Sequence, residues 1–322
     1  MQDHGGNLDF ACKLFGGRAE DWIDLSTGIN RQAYPIGQLQ QRSWTALPSR
    51  TEIETLHEAV RNAYGTSARV LAVAGAQAAI QSLPWIAPPG CARILAPTYN
   101  EYVPILKAAG WQVEEVGHLD ALAGADLAVV VNPNNPDGRQ HDHAALLAIA
   151  ARVSRLVIDE SFADAVPGVS LASDAGRTGL LVLRSFGKFY GLAGLRLGFV
   201  LGNEPDVAAL AAMAGPWPIS GAAIEIGRRA LLDRTWADAT RVRLVREAQR
   251  LDDLVRGAGW SLVGGTPLFR LYETGDAIVT QERLARAKIW SRIFGDKAGW
   301  LRLGLPGDET EWTRLAAALS AR

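Results

Sequence analysis

The chain has 322 residues, 48% of them hydrophobic and 21% charged, and 33 Lys plus Arg face 34 Asp plus Glu for a net charge of −1. That balance supplies a sizeable core, and the length suits a large domain with a smaller one. It gives no basic excess for nucleic acid, and no apolar run reaches the roughly 18 residues of a membrane helix. The two cysteines, Cys12 and Cys91, have no His or Cys neighbours at metal spacing. They read as reduced thiols of a cytoplasmic protein, and no metal is expected. The opening "MQDHGGNLDF" lacks a basic stretch followed by an apolar one, so no signal peptide is expected.

In chain order, the first 30 or so residues are irregular and carry several glycines. Apolar β-like runs follow at 69–73, 93–96, 111–116, 127–131, 155–160, 180–186 and 196–202, with helical patterns such as "AQAAIQSLPWIA" and "HAALLAIAARV" between them. This alternation predicts a mostly parallel sheet with helices on both faces, whose ligands bind at the C-terminal ends of the strands. From about 220 the text becomes a long charge-laced helical region, then strands "LFRLYE" (268–273) and "WLRLGL" (300–305) around a helix. The expected fold class is α/β, with a smaller α+β C-terminal domain. The expected domains are an N-terminal segment over 1–30, a large domain over 31–220 and a small one over 221–322.

"SFGKFYGLAGLRLGFV" (185–200) places Lys188 and Arg196 in a run otherwise built for burial. A lysine in apolar surroundings loses its proton more easily, and a neutral amine forms a Schiff base with an aldehyde. Pyridoxal phosphate is the common aldehyde cofactor, and it also needs a carboxylate for its pyridine nitrogen and a cradle for its phosphate. "VIDES" puts Asp159 at the end of an apolar strand, where it serves as that carboxylate or as a helix N-cap. "AVAGAQAAI" puts Gly75, Ala76 and Gln77 at a strand-to-helix turn suited to a phosphate, as many α/β turns are. Arg196 suits a phosphate or a structural salt bridge. "NPNNPDG" (132–138) is a turn by composition, and a role for Asn135 needs support from elsewhere.

In order, "GAQ", "PTYNEY", "NPNNPDG", "DES", "SFGKFYGLAGLRLG" and "WLRLGLP" resemble the fold-type I pyridoxal-phosphate enzymes of the class I/II aminotransferase group, over residues 20 to 320. The resemblance implies that Lys188 holds the cofactor and moves protons, and that Asp159 pairs with the pyridine nitrogen. Asn135 would bond the phenolic oxygen and Tyr99 would stack on the ring. Gly75, Ala76, Gln77, Ser185 and Arg196 would hold the phosphate, and Arg302 the substrate α-carboxylate. A homodimer also follows from the resemblance.

Two departures stand out. "DESF" places Phe162 where the group has a tyrosine, and "ALPSR" places Leu47 where an interface tyrosine usually stands. "HGGNLDFACKLFG", "DWIDLSTGINRQAYP" and Phe162 are similar to the threonine-phosphate decarboxylases of cobalamin biosynthesis, though "HGGN" alone also reads as a loose terminus. In that family His4, Gly5, Gly6 and Asn7 would close over a phosphorylated amino acid, Asn30 would lie near its carboxylate, and Arg292 would meet its phosphate or form a loop salt bridge. The expected reaction is then decarboxylation of L-threonine O-3-phosphate to (R)-1-amino-2-propanol O-2-phosphate. The alternatives are histidinol-phosphate aminotransferase or a related aminotransferase, and a non-catalytic partner protein with the same fold.

Overall fold

The computed structural model describes residues 5–320. The chain forms two compact units. The larger holds Tyr34–Asn135 and Arg139–Ala237, and the smaller holds residues through Ala33, Pro136–Gly138 and the chain from Asp238. The break after Ala237 falls inside the helix Arg234–Gly257, so residues 221–237 fold with the larger unit rather than the smaller one. The charge-laced region is two helices, Gly221–Leu232 and Arg234–Gly257. They part at Asp233, whose side chain accepts a hydrogen bond from Trp236 N (2.9 Å) and starts the second helix.

The larger unit is built on seven strands: β1 (Arg69–Val73), β2 (Cys91–Leu95), β3 (Gln112–Val116), β4 (Leu127–Val131), β5 (Leu156–Asp159), β6 (Leu180–Ser185) and β7 (Gly198–Gly202). Their order is β1-β7-β6-β5-β4-β2-β3. Neighbouring pairs from β3 to β6 run parallel, and β7 runs antiparallel to both β6 and β1. The central strands are mostly apolar and buried on both faces, so no alternation survives, and the exceptions are Arg184 and Ser185 in β6 and Asp159 at the end of β5. β4 and β7 are buried at every position. Ile94, Val129, Val157, Leu183 and Val200 form the middle of this core. On its flank, the helix Arg50–Tyr64 starts at a reciprocal cap in which Ser49 Oγ accepts from Glu52 N and Glu52 Oε2 accepts from Ser49 N (3.2 and 2.7 Å).

The smaller unit has a four-stranded antiparallel sheet of Arg292–Phe294, Lys297–Gly304, Phe269–Glu273 and Ser261–Thr266, in that order. A parallel pair joins Ile23–Asp24 to Ile289–Trp290. The helix Leu8–Phe15 packs on Trp22, Ala285 and Trp290, whose two indoles meet edge to face at 6.1 Å. Among the described residues, no helix is long and apolar enough to cross a membrane.

Candidate active site

The parallel strands of the larger unit deliver one after another to the same sheet edge. β1 runs into Gly75–Gln77, β2 into Tyr99, β4 into Asn135, β5 ends on Asp159, and β6 ends on Ser185 just before Lys188. Because β7 is antiparallel, its beginning, preceded by Arg196, lies at that edge too. Topology alone therefore brings together nine residues that lie up to 121 positions apart in sequence (75 to 196).

Asp159 is 2% exposed. Its Oδ1 accepts from Ser161 N (2.9 Å) and Ser161 Oγ (2.5 Å), and its Oδ2 accepts from Tyr102 Oη (2.7 Å). The cap reading of this aspartate is thus satisfied locally by Ser161, while Oδ2 is held from the side by a buried phenol. Tyr99 is half-buried, and its hydroxyl donates to Gln77 Oε1 (3.1 Å). Gln77 in turn donates to Glu101 (3.1 Å), which fixes the carboxamide named for the phosphate. Asn135 is half-buried in the turn after β4. That turn is tied down by Asn134, which donates to Pro97 O (2.9 Å) and accepts from Thr98 Oγ1 (2.7 Å).

Lys188 is half-buried between Phe186 and Phe189, which are fully enclosed, and its ammonium lies 5.6 Å from the centre of the Phe162 ring. Arg196 corrects the expectation of burial: it is exposed. It ends the short turn Ala193–Leu195 in the left-handed region (φ 53°), which lifts its guanidinium out of the apolar run. The guanidinium lies across Gly75. A Cβ at Gly75, whose own φ is +79°, would stand 2.7 Å from Arg196 Nη2. Ser185 closes β6 and is half-buried.

The residues named for the substrate all belong to the smaller unit. Arg292 and Arg302 are register partners on adjacent antiparallel strands. Like charges set directly opposite are unfavourable unless an anion lies with them. Arg302 is 6% exposed, and its Nη2 donates to Ser26 O (2.8 Å). Burial and then the Arg292 charge pull its pKa down to about 9, with Asp24 opposing. This is a cation whose surroundings favour a bound anion. Ser26 also meets the N-terminal segment: Gly6 N donates to Ser26 Oγ (2.7 Å), and a Cβ at Gly5 would stand 2.4 Å from Ser26 O. Asn7 caps the helix Leu8–Phe15 by accepting from Phe10 N (3.1 Å). Asn30 is buried, and its Oδ1 accepts from Gln32 N (3.1 Å) and Arg243 Nη2 (2.8 Å). His4 lies outside the described residues.

The family model of aminotransferase class I and II matches residues 20–319. The chain belongs to that family. It is 45% identical to a threonine-phosphate decarboxylase of a Sinorhizobium species, over 98% of this chain and 97% of that one. It is 43% identical to the threonine-phosphate decarboxylase of Pseudomonas aeruginosa, over 99% and 97%. Among solved structures, the histidinol-phosphate aminotransferase of Sinorhizobium meliloti in complex with pyridoxal-5'-phosphate superposes with a TM-score of 0.84 at 19% identity, over 99% of this chain and 94% of that one, which speaks for the fold.

The family's cofactor is pyridoxal 5'-phosphate, and the residues at the sheet edge fit it. A buried carboxylate, a lysine beside the Phe162 ring, a half-buried tyrosine, and a glycine turn beneath an exposed guanidinium are the parts that its nitrogen, aldehyde, ring and phosphate require.

Two sets of residues were missed in the sequence. Tyr102 stands in the quoted "PTYNEY", but a tyrosine on an amphipathic helix reads as core. Arg184 sits in an apolar strand and is nonetheless the centre of a buried ion cluster. It donates to Glu160 Oε2 (2.6 Å) and Asp164 Oδ1 (2.5 Å) directly behind Asp159 and Ser185. Burial lowers its pKa, but Asp164, Tyr64 and Glu160 outweigh that and hold it above the ordinary arginine value. The signal was the cation itself, since an arginine inside a run of buried positions needs carboxylate partners.

Proposed function

We propose that this protein is a pyridoxal-phosphate-dependent threonine-phosphate decarboxylase, a lyase that converts L-threonine O-3-phosphate to (R)-1-amino-2-propanol O-2-phosphate and CO2 for cobalamin biosynthesis. The observation that carries the reading is the near full-length identity of 45% and 43% to two threonine-phosphate decarboxylases. The paired arginines Arg292 and Arg302 support it, because the substrate carries both a phosphate and a carboxylate.

When bound, the cofactor accepts the electron pair left behind as the Cα–carboxylate bond breaks. The protein's residues choose that bond and complete the reaction. Lys188 holds the cofactor through Nζ and then delivers a proton to Cα, the atom that CO2 leaves. Asp159 keeps a proton on the pyridine nitrogen, Asn135 bonds the phenolic oxygen, and Tyr99 covers one ring face. Ser185, Arg196, Gly75, Ala76 and Gln77 hold the cofactor phosphate. Arg302 binds the substrate carboxylate bidentately, and Arg292 meets its phosphate. Gly6, tied to Ser26, and its neighbours Gly5 and Asn7 would contact the substrate, with Asn30 near its carboxylate. Phe162 supplies no hydroxyl to the phenolic oxygen, which leaves that oxygen to Asn135.

The protein acts as a cytoplasmic homodimer. Supporting this, Trp44, Leu47 and Trp217 are exposed (68%, 63% and 55%) around a cavity of about 530 Å³ that Arg196 also lines. Light scattering at micromolar concentration should give twice the chain mass. The chemistry is tested by product analysis without any 2-oxo acid. Aminopropanol phosphate with the cofactor regenerated is expected, whereas stoichiometric pyridoxamine phosphate and a keto acid would falsify the reading.

A further inference from the structure

Tyr102 lies at the start of the helix Tyr102–Ala108 and is 1% exposed. It makes two contacts with residues already placed around the cofactor. Its hydroxyl donates to Asp159 Oδ2 at 2.7 Å, and its ring meets that of Tyr99 edge to face at 6.3 Å and 84°. The opposite carboxylate oxygen is held by Ser161, so Asp159 is gripped from both sides and its plane is fixed. A hydrogen bond to a charged group orients it more firmly than one between neutral groups. Burial, and then the negative charge of Asp159, keep the phenol well above its ordinary pKa, so it stays a donor throughout the working pH range.

We propose that Tyr102 is a positioning residue that locks Asp159 in the orientation its pyridine-nitrogen partner needs and couples that carboxylate to the ring-stacking Tyr99. The proposal rests on the assignment of Asp159 to the pyridine nitrogen. Tyr102 makes its polar contact with Asp159 and its ring contact with Tyr99. It acts by restricting the carboxylate, and so on how firmly the cofactor is held and how firmly its ring nitrogen keeps a proton.

The test is Tyr102→Phe in the full chain, stripped of cofactor and titrated with pyridoxal 5'-phosphate. Phenylalanine keeps the ring and its contact with Tyr99, so the apo protein should melt within a few degrees of wild type. Removing one hydrogen bond to a charged group predicts a dissociation constant raised about ten- to hundredfold. The pH midpoint of the bound cofactor's visible absorption should shift, and kcat should fall with the substrate KM little changed. Asp159→Asn should weaken the cofactor as well, and adding Tyr102→Phe to it should cost much less than in wild type. Cofactor affinity and absorption midpoint both unchanged in Tyr102→Phe would overturn the proposal. So would a loss of equal size whether residue 159 is Asp or Asn. If Asp159→Asn itself has no effect, the pyridine assignment falls and takes the proposal with it. If Asp159→Asn weakens binding and Tyr102→Phe does not, only the proposal falls.

Discussion

Replacing Gly75 by alanine separates two consequences of one methyl group. Gly75 has φ +79° and ψ 160°, a region populated almost only by glycine, and holding an L-residue there costs about 1–3 kcal/mol. The new Cβ would also stand 2.7 Å from Arg196 Nη2 and 3.1 Å from its Cζ. That contact is with the far end of a flexible side chain, so the guanidinium moves aside rather than the fold giving way. Backbone strain therefore appears in the apo protein, and displacement of Arg196 appears in the cofactor. A lost charge-assisted hydrogen bond is worth about 1.5–3 kcal/mol, or roughly a 10- to 150-fold weaker dissociation constant. The assay is a pair of measurements on Gly75→Ala: thermal unfolding of the apo protein, and a pyridoxal 5'-phosphate titration followed by tryptophan fluorescence. A lower apo Tm together with weaker cofactor binding is expected. A lower apo Tm with cofactor affinity within twofold of wild type would mean that Arg196 is not a phosphate anchor.

Three further predictions concern other parts of the molecule. Arg184→Met leaves Glu160 and Asp164 buried beside one another without their guanidinium, so urea unfolding should show a loss of about 3–5 kcal/mol; a change under 1 kcal/mol would contradict the cluster's role. His57 has a pKa below its ordinary 6.5, chiefly through burial with Glu54 opposing, so the unfolded chain binds more protons than the folded one. Its contribution to stability is present above pH 6.5 and lost as pH falls through the folded value, and His57→Gln should flatten the decline of Tm on acidification. In the holoenzyme, inorganic phosphate at a hundred times its wild-type dissociation constant should stabilise the protein by about 2.7 kcal/mol, and Arg292→Gln should abolish most of that gain; an equal gain in both proteins would show that Arg292 is not the phosphate site.

Much of the architecture was legible because buried parallel strands are written as short apolar runs. The runs at 69–73 and 127–131 coincide with β1 and β4, and the others differ from their strands by a residue or two at the ends. Strand ends carry little apolar signal, since turn residues there answer to hydrogen bonds and ligands. The split at Asp233 escaped because no Gly or Pro separates the two helices and both read as helical. The sheet-edge residues were legible through the order of their motifs. Contacts that need three-dimensional register were not: Arg292 faces Arg302 only once two strands pair, and Asp159 meets Tyr102 only across 57 residues of chain. The exposure of Arg196 was hidden because an apolar neighbourhood in sequence says nothing about a left-handed turn that points one side chain outward.

CO2 release from L-threonine O-3-phosphate by the purified protein, with pyridoxal 5'-phosphate and without any 2-oxo acid, decides between decarboxylation and transamination. Sustained release that disappears in Lys188→Ala is the predicted result. No release, with turnover only once 2-oxoglutarate and histidinol phosphate are supplied, would contradict it and assign the protein to transamination.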